Sequence, residues 1–178
     1  QWFDYWLKEK DNGVDRWPRI RIFVMGDNQW RDEQQWPLDR AQERSLYLAT
    51  DGDATSGGDG RLTWARPKMQ AKASYRYDPE DPVPSLHGAP LFTIPTDRRA
   101  VESRSDILVY QTEPLAERIE VTGNPTVVLY AESSAPDTDF FVRLVDVVPD
   151  GPAREVTMGM VRARYRYGLG NPQLLEPG

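Results

Sequence analysis

The sequence predicts an all-β fold, an antiparallel sandwich or jelly roll preceded by one short helix. Three observations predict it. Segments of alternating apolar and polar residues recur along most of the chain, clusters of Gly, Pro and Asp separate them, and the one stretch with helical spacing lies at the start. The 178 residues include six Trp, eight Tyr and five Phe, enough large apolar side chains for a domain of ordinary size with a real core.

Taken in order, Trp2, Phe3, Trp6 and Leu7 fall on one side of a helix, with Asp4 and Lys8 as an i,i+4 pair on the other. A short amphipathic helix ending near Gly13 is expected. A helix of this length is marginal alone in water, so its aromatic stripe calls for a partner surface. Strand character begins at Ile20, Ile22 and Val24, alternating with Arg21 and Phe23, and Gly26-Asp27-Asn28 stops it. Residues 29–40, with Trp30, Trp36 and Pro37 among charges, suit an ordered loop pinned by aromatics. A strand over 44–50 leads into the glycine-rich turn region 51–60. Tyr75 and Tyr77 mark a strand that runs into a long irregular loop with prolines at 79, 82, 84, 90 and 95. Further strands are expected over 107–112, 118–121, 126–133, 140–148 and 156–167. The last alternates cleanly, with Met158, Met160, Arg162, Arg164 and Arg166 on one face and Val161, Ala163, Tyr165 and Tyr167 on the other. Pro177-Gly178 is a turn signal that would lead into another strand, so the sandwich is expected to be incomplete at this end.

Bulk properties exclude several functions. With 28 acidic against 22 basic residues the net charge is −6, which offers no footprint for nucleic acid or an anionic membrane surface. No apolar run is long enough to span a bilayer. The absence of Cys removes disulfides, thiolate zinc sites and a cysteine nucleophile, and leaves the compartment open, with the cytoplasm as default. Gln1 is preceded by no Met or signal-like segment, so any targeting signal is either absent or was removed with upstream sequence.

Catalytic chemistry is equally sparse. The strained G-x-S-x-G elbow of an α/β-hydrolase nucleophile is absent, and the one histidine, His87, has Ser85 nearby without a glycine frame. His87 reads as a solvated loop residue. Two stretches could offer oxygens to calcium, Asp137 with Asp139 and Asp51 with Asp53 and Asp59, although neither has an EF-hand's bidentate Glu. The competing reading is that these Asp side chains cap their own turns. The arginine face of the last strand could bind an anion or simply be solvated. No metal, cofactor or catalytic residue is therefore assigned.

Several segments carry a resemblance. They are Trp2-Phe3-Asp4-Tyr5-Trp6-Leu7; Arg21-Ile22-Phe23-Val24-Met25-Gly26 with Trp30-Arg31 and Trp36-Pro37; Tyr77-Asp78-Pro79 with Asp81-Pro82-Val83-Pro84-Ser85-Leu86; Leu108-Val109-Tyr110 with Thr112-Glu113-Pro114-Leu115; Val121-Thr122-Gly123; Ser133-Ser134-Ala135-Pro136-Asp137-Thr138-Asp139-Phe140; Leu144-Val145-Asp146-Val147; and Arg162-Ala163-Arg164-Tyr165-Arg166. In this order they resemble the cocaine-esterase-like and X-Pro dipeptidyl-peptidase-like (CocE/NonD) serine hydrolases across nearly the whole chain. The resemblance implies that residues 1–13 are the terminal helix of an α/β-hydrolase catalytic domain whose Ser-Asp-His triad lies upstream. Residues 14–178 would then form an incomplete jelly-roll, galactose-binding-like, non-catalytic domain. It further implies that Leu91 and Phe92 line the acyl-side wall of the active site, as a Leu-Phe pair does in cocaine-esterase-like members. The partners implied are the N-terminal hydrolase domain of the same chain and a small ester or peptide substrate at the domain interface. The rival readings are a stand-alone carbohydrate-binding module, in which Trp64 would stack on a sugar, and a purely structural sandwich.

Overall fold

The computed structural model describes residues 1–69, 71–86 and 97–177. The chain divides into two compact units, Gln1–Arg44 with Glu120–Pro125, and Ser45–Ile119 with Thr126–Gly178.

The first unit begins with helix α1, Trp2–Lys8. The Lys8 ammonium donates to Asp4 Oδ1 at 2.7 Å, the expected i,i+4 pair. The helix stops well before Gly13, because Glu9 takes the left-handed conformation (φ 51°) and the Lys10 N–H returns to the Asp4 carbonyl at 3.1 Å. No residue of α1 is buried; Trp2 is 54% exposed, Phe3 71%, Trp6 57% and Leu7 75%. Strands β1 (Ile20–Val24) and β2 (Gln29–Glu33) then form an antiparallel hairpin pairing Ile20 with Glu33 and Val24 with Gln29. The first residues of the expected 29–40 loop are thus a strand. Gly26 (φ 87°) and Asn28 (φ 54°) reverse the chain, and cross-strand pairs hold it. Phe23 and Trp30 meet edge to face at 5.3 Å, and Arg21 lies 3.1 Å from Asp32. Periodicity missed β2 because Gln-Trp-Arg-Asp-Glu lacks the β-branched residues that mark strands.

In the second unit, β3 (Tyr47–Ala49) and β4 (Arg61–Thr63) pair antiparallel around the glycine-rich turn. The expected strand over 107–112 survives as one parallel bridge between Arg61 and Gln111, flanked by the Val109 N–H donating to the Ala54 carbonyl. Gly60 is required there, since a Cβ would stand 2.0 Å from the Val109 carbonyl oxygen. Helix α2, Arg99–Glu102, was not expected from the sequence and buries Val101. The longest ribbon joins β5 (Asp139–Val147) to β6 (Ala153–Arg162), with an irregularity between Leu144 and Val145.

β6 ends at Arg162 and Ala163–Tyr165 is a 3₁₀ turn, which corrects the strand expected to run to 167. The ladder stops because the Arg164 N–H donates to the Asp137 carboxylate at 2.9 Å instead of to a neighbouring strand. The segments expected as strands at 75–77, 118–121 and 126–133 join no ladder. Among the described residues the sheets are three antiparallel ribbons, so the chain is all-β, as expected.

Candidate functional site at the stems of the 87–96 segment

His87, Leu91 and Phe92 lie outside the described residues. The described residues on either side are held by carboxylate–arginine groups. On the N-terminal side, Asp81 accepts from Arg104, whose Nη2 lies 3.0 Å from Asp81 Oδ2 and 2.9 Å from its carbonyl oxygen. Arg104 also donates from Nε and Nη2 to Asp106, at 2.7 Å each. This contact holds Asp106 below the usual carboxylate range and raises Arg104 above its ordinary value.

On the C-terminal side the chain is fastened to β6. The Arg98 N–H donates to the Ala153 carbonyl at 2.9 Å, and the Ala153 N–H donates to Asp97 Oδ1 at 3.2 Å. Arg99 grips the Asp97 carboxylate through Nε and Nη2 and holds it well below its ordinary range. The Arg98 side chain is only 4% exposed and donates to Glu155 Oε2 at 2.8 Å. Glu155, 5% exposed, also accepts from Arg143 Nε at 3.1 Å. The β5–β6 irregularity makes this meeting possible: Leu144 pairs with Thr157 and Val145 with Glu155, so Val156 is the extra residue. Glu102 lies 3.8 Å from Arg98, and burial raises its pKa against the pull of that arginine.

These arginines and their partners were not singled out from the sequence. A signal was there to read: Arg143 and Glu155 are isolated opposite charges inside otherwise apolar strands, and Lys, Arg, Asp and Glu are almost never buried unless paired.

The calcium candidates are occupied otherwise. Asp137 Oδ2 accepts from Arg164 at 2.5 Å, and Asp139 forms a fork with Arg162 at 2.7 and 2.8 Å. Asp59 takes the Thr50 hydroxyl and the Asp51 N–H, and Asp53 takes the N–H and hydroxyl of Thr55. Asp51 pairs with Arg61. These are turn caps and ion pairs, and among the described residues no group of three or more His, Cys, Asp or Glu is placed to hold a metal. Arg162, Arg164 and Arg166 are each tied down as well, Arg166 to the carbonyls of Ala163 and Gln173.

In the first unit, Glu33 accepts from Arg31 at 2.6 Å and from Arg40, and Arg31 forks onto Glu120 at 2.9 and 2.7 Å. The Arg40 contact leads in lowering Glu33 to about 2, and the Arg31 contact leads in lowering Glu120 to about 2.

Comparison with known proteins gives one pattern. The sequence model of the X-Pro dipeptidyl-peptidase C-terminal non-catalytic domain matches residues 12–178. A cocaine esterase of Rhodococcus sp. (strain MB1 Bresler) is 44% identical over 181 residues, covering 99% of this chain and 32% of that protein. Among solved structures, an aminopeptidase from a marine sediment Thaumarchaeota archaeon superposes with a TM-score of 0.78 at 29% identity, covering 99% of this chain and 30% of that one. An alpha-amino acid ester hydrolase also reaches 0.78, at 28% identity, with 99% and 31% covered. The chain spans about a third of the length of these relatives.

Proposed function

We propose, because this chain belongs to the X-Pro dipeptidyl-peptidase C-terminal non-catalytic domain family, that it supports and shapes the substrate cleft of a larger serine hydrolase. Residues 14–178 are read as the non-catalytic sandwich and residues 1–13 as the last helix of an α/β-hydrolase domain. The start of the family match at residue 12 supports that boundary. The hydrolase domain, on this reading, belongs to the same polypeptide and carries the Ser-Asp-His triad. It cleaves ester or amide bonds through an acyl-enzyme, in keeping with relatives named as esterase, ester hydrolase and aminopeptidase. The observation that carries the proposal is α1: two Trp, a Phe and a Leu stand exposed on one short helix, a surface that calls for a covering domain.

Leu91 and Phe92 are proposed to line the acyl-side wall, where a small ester or peptide substrate meets the domain interface. In the full-length protein, replacing both with Ala should change the preference between small and bulky acyl groups and leave leaving-group preference unchanged. Unaltered acyl preference would reduce the segment to a structural support. Residues 14–178 alone should not hydrolyse a chromogenic short-chain ester, since nucleophile, base and oxyanion hole are assigned elsewhere. Turnover that disappears with His87→Ala would overturn this.

A further inference from the structure

Residues 97–106 carry two arginines with different tasks. Arg98 is sealed against β6 through Glu155 and the Ala153 carbonyl. Arg104 faces the other way and reaches back 23 positions to Asp81, with Nη1 on Oδ1 at 3.2 Å, Nη2 on Oδ2 at 3.0 Å and Nη2 on the carbonyl at 2.9 Å. Between them α2 acts as a rigid spacer. The Val101 and Glu102 N–H groups donate to the Arg98 carbonyl, the Arg104 N–H donates to that of Val101, and Val101 is buried.

Isolated exposed ion pairs hold little, because two long side chains must be ordered for a weak attraction. The Arg104 contact differs in two respects. Its guanidinium is pinned from behind by Asp106, whose side chain is 12% exposed, so the fork is already oriented. It also grips a main-chain carbonyl, which fixes the path of the backbone as well as a rotamer. Asp81 is braced in turn, its N–H donating to the Asp78 carbonyl at 3.2 Å, and the rigid ring of Pro82 follows.

We propose that Arg104 is a positioning residue for substrate selection: by fixing Asp81 against α2 it sets where the chain departs toward Leu91 and Phe92, and so where the acyl-side wall stands. This rests on the role given to that pair under Proposed function. Arg98 anchors the fold, whereas the Asp81–Arg104 contact lies at the surface and can be broken without opening the β5–β6 ribbon.

The test uses the full-length protein and the ratio of kcat/KM for p-nitrophenyl acetate to that for p-nitrophenyl benzoate. A ratio does not depend on how much enzyme is folded, so a merely stabilising role would leave it unmoved. A displacement of about 1 Å can cost on the order of a hundredfold in rate, so a partial shift of the wall should change the ratio at least about fivefold. That change is expected for Asp81→Asn and Arg104→Met, in the same direction as for the Leu91→Ala/Phe92→Ala double variant. Arg104→Lys should fall between, since it keeps the charge and loses the fork. If Leu91→Ala/Phe92→Ala moves the ratio while Asp81→Asn and Arg104→Met stay within about twofold of the parent, Arg104 is not a positioning residue and the wall reading stands. If Leu91→Ala/Phe92→Ala leaves the ratio unchanged, the wall reading fails and this inference with it, whatever the arginine variants do. Should Arg104→Met not fold, Asp81→Asn decides alone, because it leaves the Arg104–Asp106 pair intact.

Discussion

Glu33 and Glu155 each accept hydrogen bonds from two arginines, and each sits on a strand of a two-stranded ribbon. Their surroundings differ. The partners of Glu33, Arg31 and Arg40, have side chains 30% and 57% exposed, so water solvates the guanidinium groups from outside. Arg98, the main partner of Glu155, is 4% exposed and depends on protein groups for its solvation. The same pairing is a screened surface tie in one unit and a buried commitment in the other. A buried pair adds little over a well-packed apolar substitute, but losing one member leaves an uncompensated charge.

The largest effect should therefore come from Glu155→Ala, which strands both Arg98 and Arg143. Breaking a buried pair costs about 3–5 kcal/mol, and hydrogen exchange over β5, β6 and residues 97–103 should report a loss of that order in local opening free energy. The matched Glu33→Ala change should cost the β1–β2 hairpin visibly less. Equal losses at the two sites would show that exposure of the arginines does not separate the nodes.

Acid should act on the first unit next. Glu33 and Glu120 both titrate near about 2 in the folded chain, against an ordinary value of 4.5. A lowered folded pKa means that their contribution to stability is fully present above pH 4.5 and is lost as pH falls from there toward about 2. Titration of selectively labelled Glu carboxyl carbons should place both groups well under 4.5. Arg31→Met should move both titrations upward, because Arg31 contacts both carboxylates. Arg40→Met should move Glu33 more than Glu120, which it does not touch.

Sequence reasoning reached the first-order elements and stopped where long-range pairing decides the outcome. α1, β1, β3 and the β5–β6 ribbon were legible because apolar periodicity is a local property of the chain. β2 was hidden, since its hold comes from the Phe23–Trp30 and Arg21–Asp32 pairs across the hairpin and not from its own composition. β6 was read too long because the same alternation continues through Arg164 and Arg166, while the Asp137 carboxylate ends the ladder from 27 positions away. The proposed Leu91-Phe92 wall came from family resemblance alone. The arginine groups that hold its two stems join residues 23 and 57 positions apart, a distance over which no local pattern operates.

The smallest expected effect runs in the unusual direction and tests the buried node from inside. Glu102 shares the neighbourhood of Arg98, yet its pKa is raised, chiefly by burial, with Arg98 opposing and Asp97 reinforcing the shift. A carboxyl group with a raised folded pKa favours the folded state when protonated and burdens it once ionised, so its cost is present at neutral pH and vanishes below the ordinary value of 4.5. Glu102→Gln should then slightly increase the protection of residues 97–103 at pH 7, and a comparison by urea unfolding at pH 3 should find no gain. Arg98 keeps Glu155 in this variant, so no buried charge is stranded. A loss of protection at pH 7 would mean that Arg98 shares its charge between two carboxylates, and that the buried node is a four-member network in which Glu102 matters as a partner.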